Sequence, residues 1–318
     1  MKSAFLFPGQ GSQRPEFLHE LSKCAAVSET LEEANDLLGE SVFNFHSKEA
    51  LASTKAVQIS LLTAGVAAYR AFDLERIQPD VVGGHSVGAF GAAVAAGVME
   101  FKDALKIVGK RGELMEQAFP VGYGMGVVLG LEAHQLELLI AQTVDKQYPV
   151  FMSNQNAPDQ LTISGALPGI QKVLVEVQQN GARCASLLNV STPSHCPLLS
   201  SVSDTLLKEL HAVSFNPPSV PYVGNRNARL LFTPDEIRQD LAESVSSAVQ
   251  WHDASSVLYE NGVRLFIEMP PGNVLTRLAD RAFPDAKALS VTENGFDDCL
   301  FVAERQRLKK RKGTNYIW

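Results

Sequence analysis

The chain has 318 residues, enough for one large domain or two unequal ones. Apolar residues make up 45% and charged residues 20%, so the chain can bury a large core and does not read as disordered. The 28 Lys and Arg fall short of the 35 Asp and Glu, and a net charge of −7 argues against a general nucleic-acid binder. No apolar run reaches the roughly 18 residues of a membrane span. The opening residues lack a signal peptide's long apolar core and small-residue cleavage site. Cys24, Cys184, Cys196 and Cys299 stand far apart with no C-x-x-C pair. The expectation is a cytoplasmic protein with reduced thiols.

A short apolar strand, Ser3 to Phe7, runs into Pro8-Gly9-Gln10-Gly11-Ser12-Gln13. That turn is not G-x-G-x-x-G, so a dinucleotide site is not indicated. A glycine-rich turn at a strand's end can still aim backbone N–H groups into a site, and we assign the Gln10 N–H that role. Residues 57–72 read as a helix apolar on most faces, hence buried. A second strand-to-helix passage follows at Asp80 to Gly88, then a small apolar run from Ala89 to Met99. Strands alternating with such helices predict an α/β layer fold with a parallel sheet.

Within that second passage, Gly84-His85-Ser86-Val87-Gly88 matches G-x-S-x-G. In a sharp strand-to-helix turn this pattern lifts the serine oxygen above the sheet, and the glycines let strand and helix approach closely. The Val87 N–H then points where an oxyanion would form. The bland alternative is a glycine-rich turn with an incidental serine. In the helix expected over 101–118, Ala104, Ile107, Val108, Leu114, Met115 and Ala118 form an apolar arc with Arg111 in its middle. A guanidinium there is either a structural ion pair or a fork for a substrate carboxylate.

The middle of the chain changes character. Strands are expected over 124–131, 149–154, 160–165 and 183–190, with helices over 132–143 and 167–180. That β-α-β-β-α-β order predicts a ferredoxin-like unit over residues 122–191, inserted into a core made of 1–121 and 192–304. Just after it, His195 sits in the proline-bracketed loop Ser191 to Pro197, where it could reach a cleft between the two units. Among the other histidines, His85 is awkwardly adjacent to Ser86, and His252 could be core. His19, His46, His134 and His211 are expected to be exposed. No HExxH spacing is present and no metal is expected. Six Lys or Arg and no acid lie between Arg305 and Lys312, so residues 305–318 read as a solvated, frayed basic tail or a handle for an acidic partner.

Six blocks together resemble the malonyl-CoA:acyl-carrier-protein transacylase family: FPGQGSQ (7–13), GHSVG (84–88), RGELM (111–115), NQNAPDQ (154–160), PSHCPLL (193–199) and MPPGNVLT (269–276). Their order and spacing cover nearly the whole chain. The resemblance implies a hydrolase-like α/β core with the small inserted domain, Ser86 as nucleophile and His195 as its base. It implies that Arg111 holds the malonyl carboxylate and that Gln10 and Val87 supply the oxyanion N–H groups. Gln58 and Asn156 match pocket positions. Two departures stand out: GHSVGAF carries Ala89 and Phe90 where the family has Glu and Tyr, and Ser244 replaces the glutamine whose backbone carbonyl orients the histidine. These variations resemble the transacylase subunit of malonate decarboxylase more than the fatty-acid-synthesis enzyme.

The implied reaction loads malonyl from malonyl-CoA, through a malonyl-serine, onto the pantetheine-type thiol arm of an acyl carrier protein. The carrier expected is the malonate decarboxylase carrier subunit, with no tightly bound cofactor and neither nucleic acid nor membrane as partner. The rivals are a fatty-acid-synthesis transacylase, a serine hydrolase, and a non-catalytic subunit that docks the carrier.

Overall fold

The computed structural model describes the backbone of residues 1–314 and side chains through residue 308. The chain opens with β1 (Lys2–Phe7), whose last four residues are buried. Helices α1 (Ala25–Leu38) and α2 (Thr54–Leu74) follow. The Ser53 hydroxyl caps α2 by accepting from the Ala56 N–H, and α2 is buried on nearly every face, as its small apolar composition requires. β2 (Val81–Gly84) then pairs in parallel with β1, and α3 (Gly88–Ala95) and α4 (Phe101–Ala118) run on from it.

Residues 123–187 build a separate antiparallel sheet. Its elements are β3 (Tyr123–Leu129), α5 (Ala133–Thr143), β4 (Val150–Ala157), β5 (Gln160–Ala166), α6 (Leu167–Gln179) and β6 (Cys184–Leu187). The spatial order is β4-β5-β3-β6, and every pairing is antiparallel. Its helices close over a core of their own, around Val128, Leu136, Leu161, Ile163, Ile170 and Val177. The β-α-β-β-α-β order read from the sequence is the order observed, with ends shifted by a few residues.

The chain then returns to the first sheet through α7 (Ser200–His211), β7 (Tyr222–Val223), β8 (Leu230–Leu231), α8 (Pro234–Glu243), α9 (Trp251–Glu260), β9 (Val263–Glu268), α10 (Val274–Ala282), β10 (Lys287–Ser290), α11 (Val291–Asn294) and α12 (Phe296–Thr314). The six-stranded order is β10-β9-β1-β2-β7-β8, parallel except where β8 turns back on β7. The basic segment differs from the frayed tail expected. α12 runs unbroken to Thr314, Gln306 donates to the Lys2 carbonyl, and Arg307 donates to the Arg76 carbonyl.

Main-chain pairing joins the two sheets beside the cleft, and a buried carboxylate steadies the helix next to it. The segment after α8 forms a single parallel bridge between Val249 and Asn154 of β4, with Gln155 N–H donating to Val249 and Val249 N–H donating to Ser153. Buried Glu268, at the end of β9, accepts from both the N–H and the hydroxyl of Thr276 and so ties down the first turn of α10. Burial raises the Glu268 carboxyl to about 7.

The contact between β1, β2 and α3 is too close for side chains. A Cβ on Gly88 would lie 2.1 Å from the Phe7 carbonyl oxygen, and one on Gly84 would lie 2.1 Å from the Gly88 carbonyl carbon. Both obstacles are backbone, which cannot rotate away. Gly88→Ala should therefore destabilise the protein by about 3 kcal/mol and lower its melting temperature by on the order of 5 °C, measured by circular dichroism. An unchanged melting temperature would show that β1 can yield at this point.

Candidate active site

The tight strand–helix contact forces the turn between β2 and α3 into an unusual backbone. Ser86 has φ 55°, a left-handed conformation for a residue that is not glycine. Such a conformation costs on the order of 1–3 kcal/mol and persists only where its surroundings hold it. Here Asn225, just after β7, holds it. Its Oδ1 accepts from the Ser86 N–H at 2.9 Å, and its Nδ2 donates to the Gly84 carbonyl at 2.9 Å. Asn225 escaped the sequence reading, because its partners lie about 140 positions away and no motif surrounds it.

His195 reaches Ser86 from the other side of the cleft. Its Nε2 lies 2.8 Å from Ser86 Oγ, and its Nδ1 lies 2.6 Å from the Ser244 carbonyl oxygen. A carbonyl only accepts, so Nδ1 carries the proton and Nε2 turns a lone pair toward the serine hydroxyl. Since the backbone of Ser244 makes this contact, a serine in place of glutamine leaves it intact. His195 also has φ 62°, and its N–H donates to the Val245 carbonyl at 2.8 Å. Burial, then the positive charge of Arg111, lower the His195 pKa to about 3, although the bond to Ser244 pulls the other way.

Arg111 lies on α4 and is 1% exposed. Its Nη2 donates to Ser86 Oγ at 3.3 Å, and its Nε has no partner. Among the described residues no carboxylate pairs with it, so the structural ion pair is set aside. Burial alone lowers its pKa, to about 10, which leaves it a cation at neutral pH.

These three side chains stand in one cleft of about 690 Å³ between the two sheets. Gln10 and Val87 line it beside Ser86, and among the described residues neither main-chain N–H donates to a protein acceptor. Met115, Met125, Val127 and Leu188 supply apolar wall. Asn156, expected at the pocket, does line it, with its Oδ1 3.0 Å from His85 Nε2. Gln58 does not. It is buried in α2 behind Met115, with Nε2 donating to the Met115 sulfur at 3.4 Å and Oε1 left without a partner.

One histidine expected at the surface is buried. His46 is 1% exposed and packs with Phe17, Phe43 and His19, while Glu16 Oε2 lies 3.6 Å from its Nε2 and 3.4 Å from His19 Nε2. Three potential ligands therefore meet. The hydrogen bonding opposes a metal, because His46 Nδ1 accepts from the Leu18 N–H at 3.2 Å. The neutral ring then carries its proton on Nε2, the atom that would have to bind the ion.

Comparison with known proteins places the chain in a family. Residues 4–299 match the acyl transferase domain. The malonyl CoA-acyl carrier protein transacylase of Haemophilus influenzae is 34% identical over 299 residues, covering 92% of this chain and 96% of that protein. The crystal structure of an acyl carrier protein S-malonyltransferase from Vibrio cholerae superposes with a TM-score of 0.87 at 35% identity, covering 92% of this chain and 97% of the other. A malonyl-transacylase in complex with a type II polyketide synthase acyl-carrier protein gives a TM-score of 0.89 at 31% identity, over 96% of this chain and all of that one (100%).

The environment of His195 makes a direct prediction. Its imidazole should stay neutral from pH 8 to pH 5, followed by NMR of the ring nitrogens. The unfolded residue takes up a proton below about pH 6.5 and the folded one only near 3. Its contribution to folding is therefore fully present above pH 6.5 and is lost as pH falls through that window. A titration midpoint near 6.5 in the folded protein would mean that water reaches the ring.

Proposed function

The chain belongs to the acyl transferase domain family, and from that premise we propose that it transfers a malonyl group from malonyl-CoA to the thiol arm of an acyl carrier protein. The observation that carries the reading is a buried, unpaired guanidinium beside a serine–histidine pair. Generic acyl transfer needs only the pair, whereas a free cation at the reacting oxygen selects an acyl group that ends in a carboxylate. The reading divides the chain into a core of residues 1–121 and 192–304 and a ferredoxin-like unit at 122–191, supported by the two separate sheets. The relatives compared are named for transfer to acyl carrier protein, which fits the fatty-acid-synthesis type of carrier at least as well as the malonate decarboxylase subunit expected from GHSVGAF. We therefore take acyl carrier protein as the acceptor.

In this mechanism Ser86 Oγ attacks the thioester carbonyl while its proton moves to His195 Nε2. The carbonyl oxygen becomes an oxyanion held by the Gln10 and Val87 N–H groups. Collapse breaks the carbon–sulfur bond, and the imidazolium returns the proton to the departing CoA thiolate. The malonyl-serine ester is then attacked by the carrier thiol, with His195 taking that proton and giving it back to Ser86. Arg111 ties substrate choice to rate. Empty, its charge suppresses proton uptake by His195; paired with the malonyl carboxylate, that charge is offset and His195 becomes a stronger base.

Two variants test this. Ser86→Ala should fold normally and show no mass increase with malonyl-CoA, while the wild type gains one malonyl group by intact mass spectrometry. An adduct kept by the variant would move the nucleophile elsewhere. Arg111→Ala should lower kcat/KM for malonyl-CoA by on the order of 30- to 5,000-fold, the equivalent of losing a desolvated charge pair of about 2–5 kcal/mol. Acetyl-CoA has no carboxylate to lose and should suffer little. Equal losses on both substrates, with the same carrier and an intact fold, would make Arg111 a structural residue and return the serine hydrolase reading.

A further inference from the structure

Asn225 is 2% exposed and uses both ends of its amide on the turn that carries Ser86. The two partners are a backbone N–H and a backbone carbonyl, so neither role can be exchanged and the orientation of the amide is fixed. The residue is itself held firmly. Both carboxylate oxygens of Asp240 on α8 accept from its main-chain N–H, at 3.0 and 3.1 Å, and its carbonyl accepts from the Gln250 N–H at 2.8 Å. Asp240 is buried, and it also takes the Arg226 N–H at 3.2 Å and the Tyr222 hydroxyl at 3.1 Å. A chain of hydrogen bonds therefore runs from α8 through Asn225 into the backbone of the turn at Ser86.

We propose that Asn225 is a positioning residue for the Ser86 nucleophile, clamping the Gly84 carbonyl and the Ser86 N–H so that the turn keeps its left-handed backbone. The inference deepens the proposed function by resting on Ser86 as the reacting group. It does not depend on which acyl group is carried. Without the clamp, Ser86 can relax toward ordinary backbone angles, which carries Oγ away from His195 Nε2 and turns the Val87 N–H out of the oxyanion site. Substrate binding at Arg111 and along the apolar wall would be unaffected. The loss should therefore appear in the rate of acylation and not in KM.

Asn225→Asp is the discriminating variant because it preserves size and the acceptor for Ser86 N–H. As a carboxylate it sets a negative oxygen against the Gly84 carbonyl; once protonated it donates there, as the amide did. Asp240 and Tyr222 face this position, the Arg226 guanidinium is paired with Glu243, and Arg111 and His195 stand beyond Ser86. The nearby Asp240 favours the protonated form of the introduced carboxyl. The experiment measures single-turnover acylation of Ser86 by malonyl-CoA, and labelling by a fluorophosphonate, per folded site and from pH 8 to pH 5. The expected result is a 10- to 100-fold slower rate at pH 8 with unchanged KM, and recovery toward the wild-type rate at pH 5. Asn225→Ser, which cannot span both partners, should show the same loss with no recovery at low pH, and it keeps the test open if the first variant folds poorly. Wild-type rates per folded site in either variant would overturn the proposal, as would a loss in Asn225→Asp that does not change with pH. A wild type that labels with fluorophosphonate but never takes malonyl would sink the donor assignment while leaving the positioning role to be read from the labelling rates.

Discussion

The left-handed backbone at Ser86 is the constraint on which the rest of the site depends. It follows from the near-contact of β1, β2 and α3, where Gly84 and Gly88 leave no space for a Cβ. With strand and helix that close, the chain must reverse within one residue, and the serine bears the strain. The same turn fixes three directions together. Oγ meets His195 and Arg111, Val87 lines the cleft beside it, and the Ser86 N–H is turned inward to Asn225. No side chain beyond the glycines is needed to choose this geometry, but distant residues are needed to keep it.

Electrostatics in the cleft is arranged around a cation that has no counter-ion among the described residues. Arg111 and His195 both contact Ser86 Oγ, and both are almost fully buried. Two buried cations on the same serine oxygen would repel strongly, so His195 stays neutral and Arg111 keeps its charge. Proton affinity at the base is thereby linked to occupancy at the guanidinium. The α4 helix tolerates the unpaired charge because its guanidinium opens on the cleft, while the remainder of that face packs against α2.

Residues 244–250 serve both the site and the small sheet through main-chain contacts. The Ser244 carbonyl orients His195, the Val245 carbonyl takes the His195 N–H, Val249 bridges to β4, and Gln250 holds Asn225. One segment thus registers His195, Asn225 and the small sheet relative to one another. Its contacts to His195 and Asn225 come from backbone atoms, so they do not depend on which side chains the segment carries.

The sequence by itself determined the local elements and drew attention to two candidate site residues. Period-2 and period-3.6 patterning, the G-x-S-x-G turn and an arginine stranded in an apolar arc are properties of neighbouring residues, and these were legible. So were Ser86 and Arg111, because each sits in a local pattern that marks it out: a glycine-flanked turn and a charge within an apolar arc. Tertiary structure alone decided which distant groups serve them. Asn225 becomes meaningful only when β7 lies beside β2, and Gln58 falls behind Met115 because α2 is buried on nearly every face. His46 reads as a polar surface residue until Phe17 and Phe43 close around it, and the basic run at the end reads as frayed until α12 docks through Gln306 and Arg307. Hydrogen bonds and burial across a hundred or more positions leave no period in the sequence, so only the folded chain could assign them.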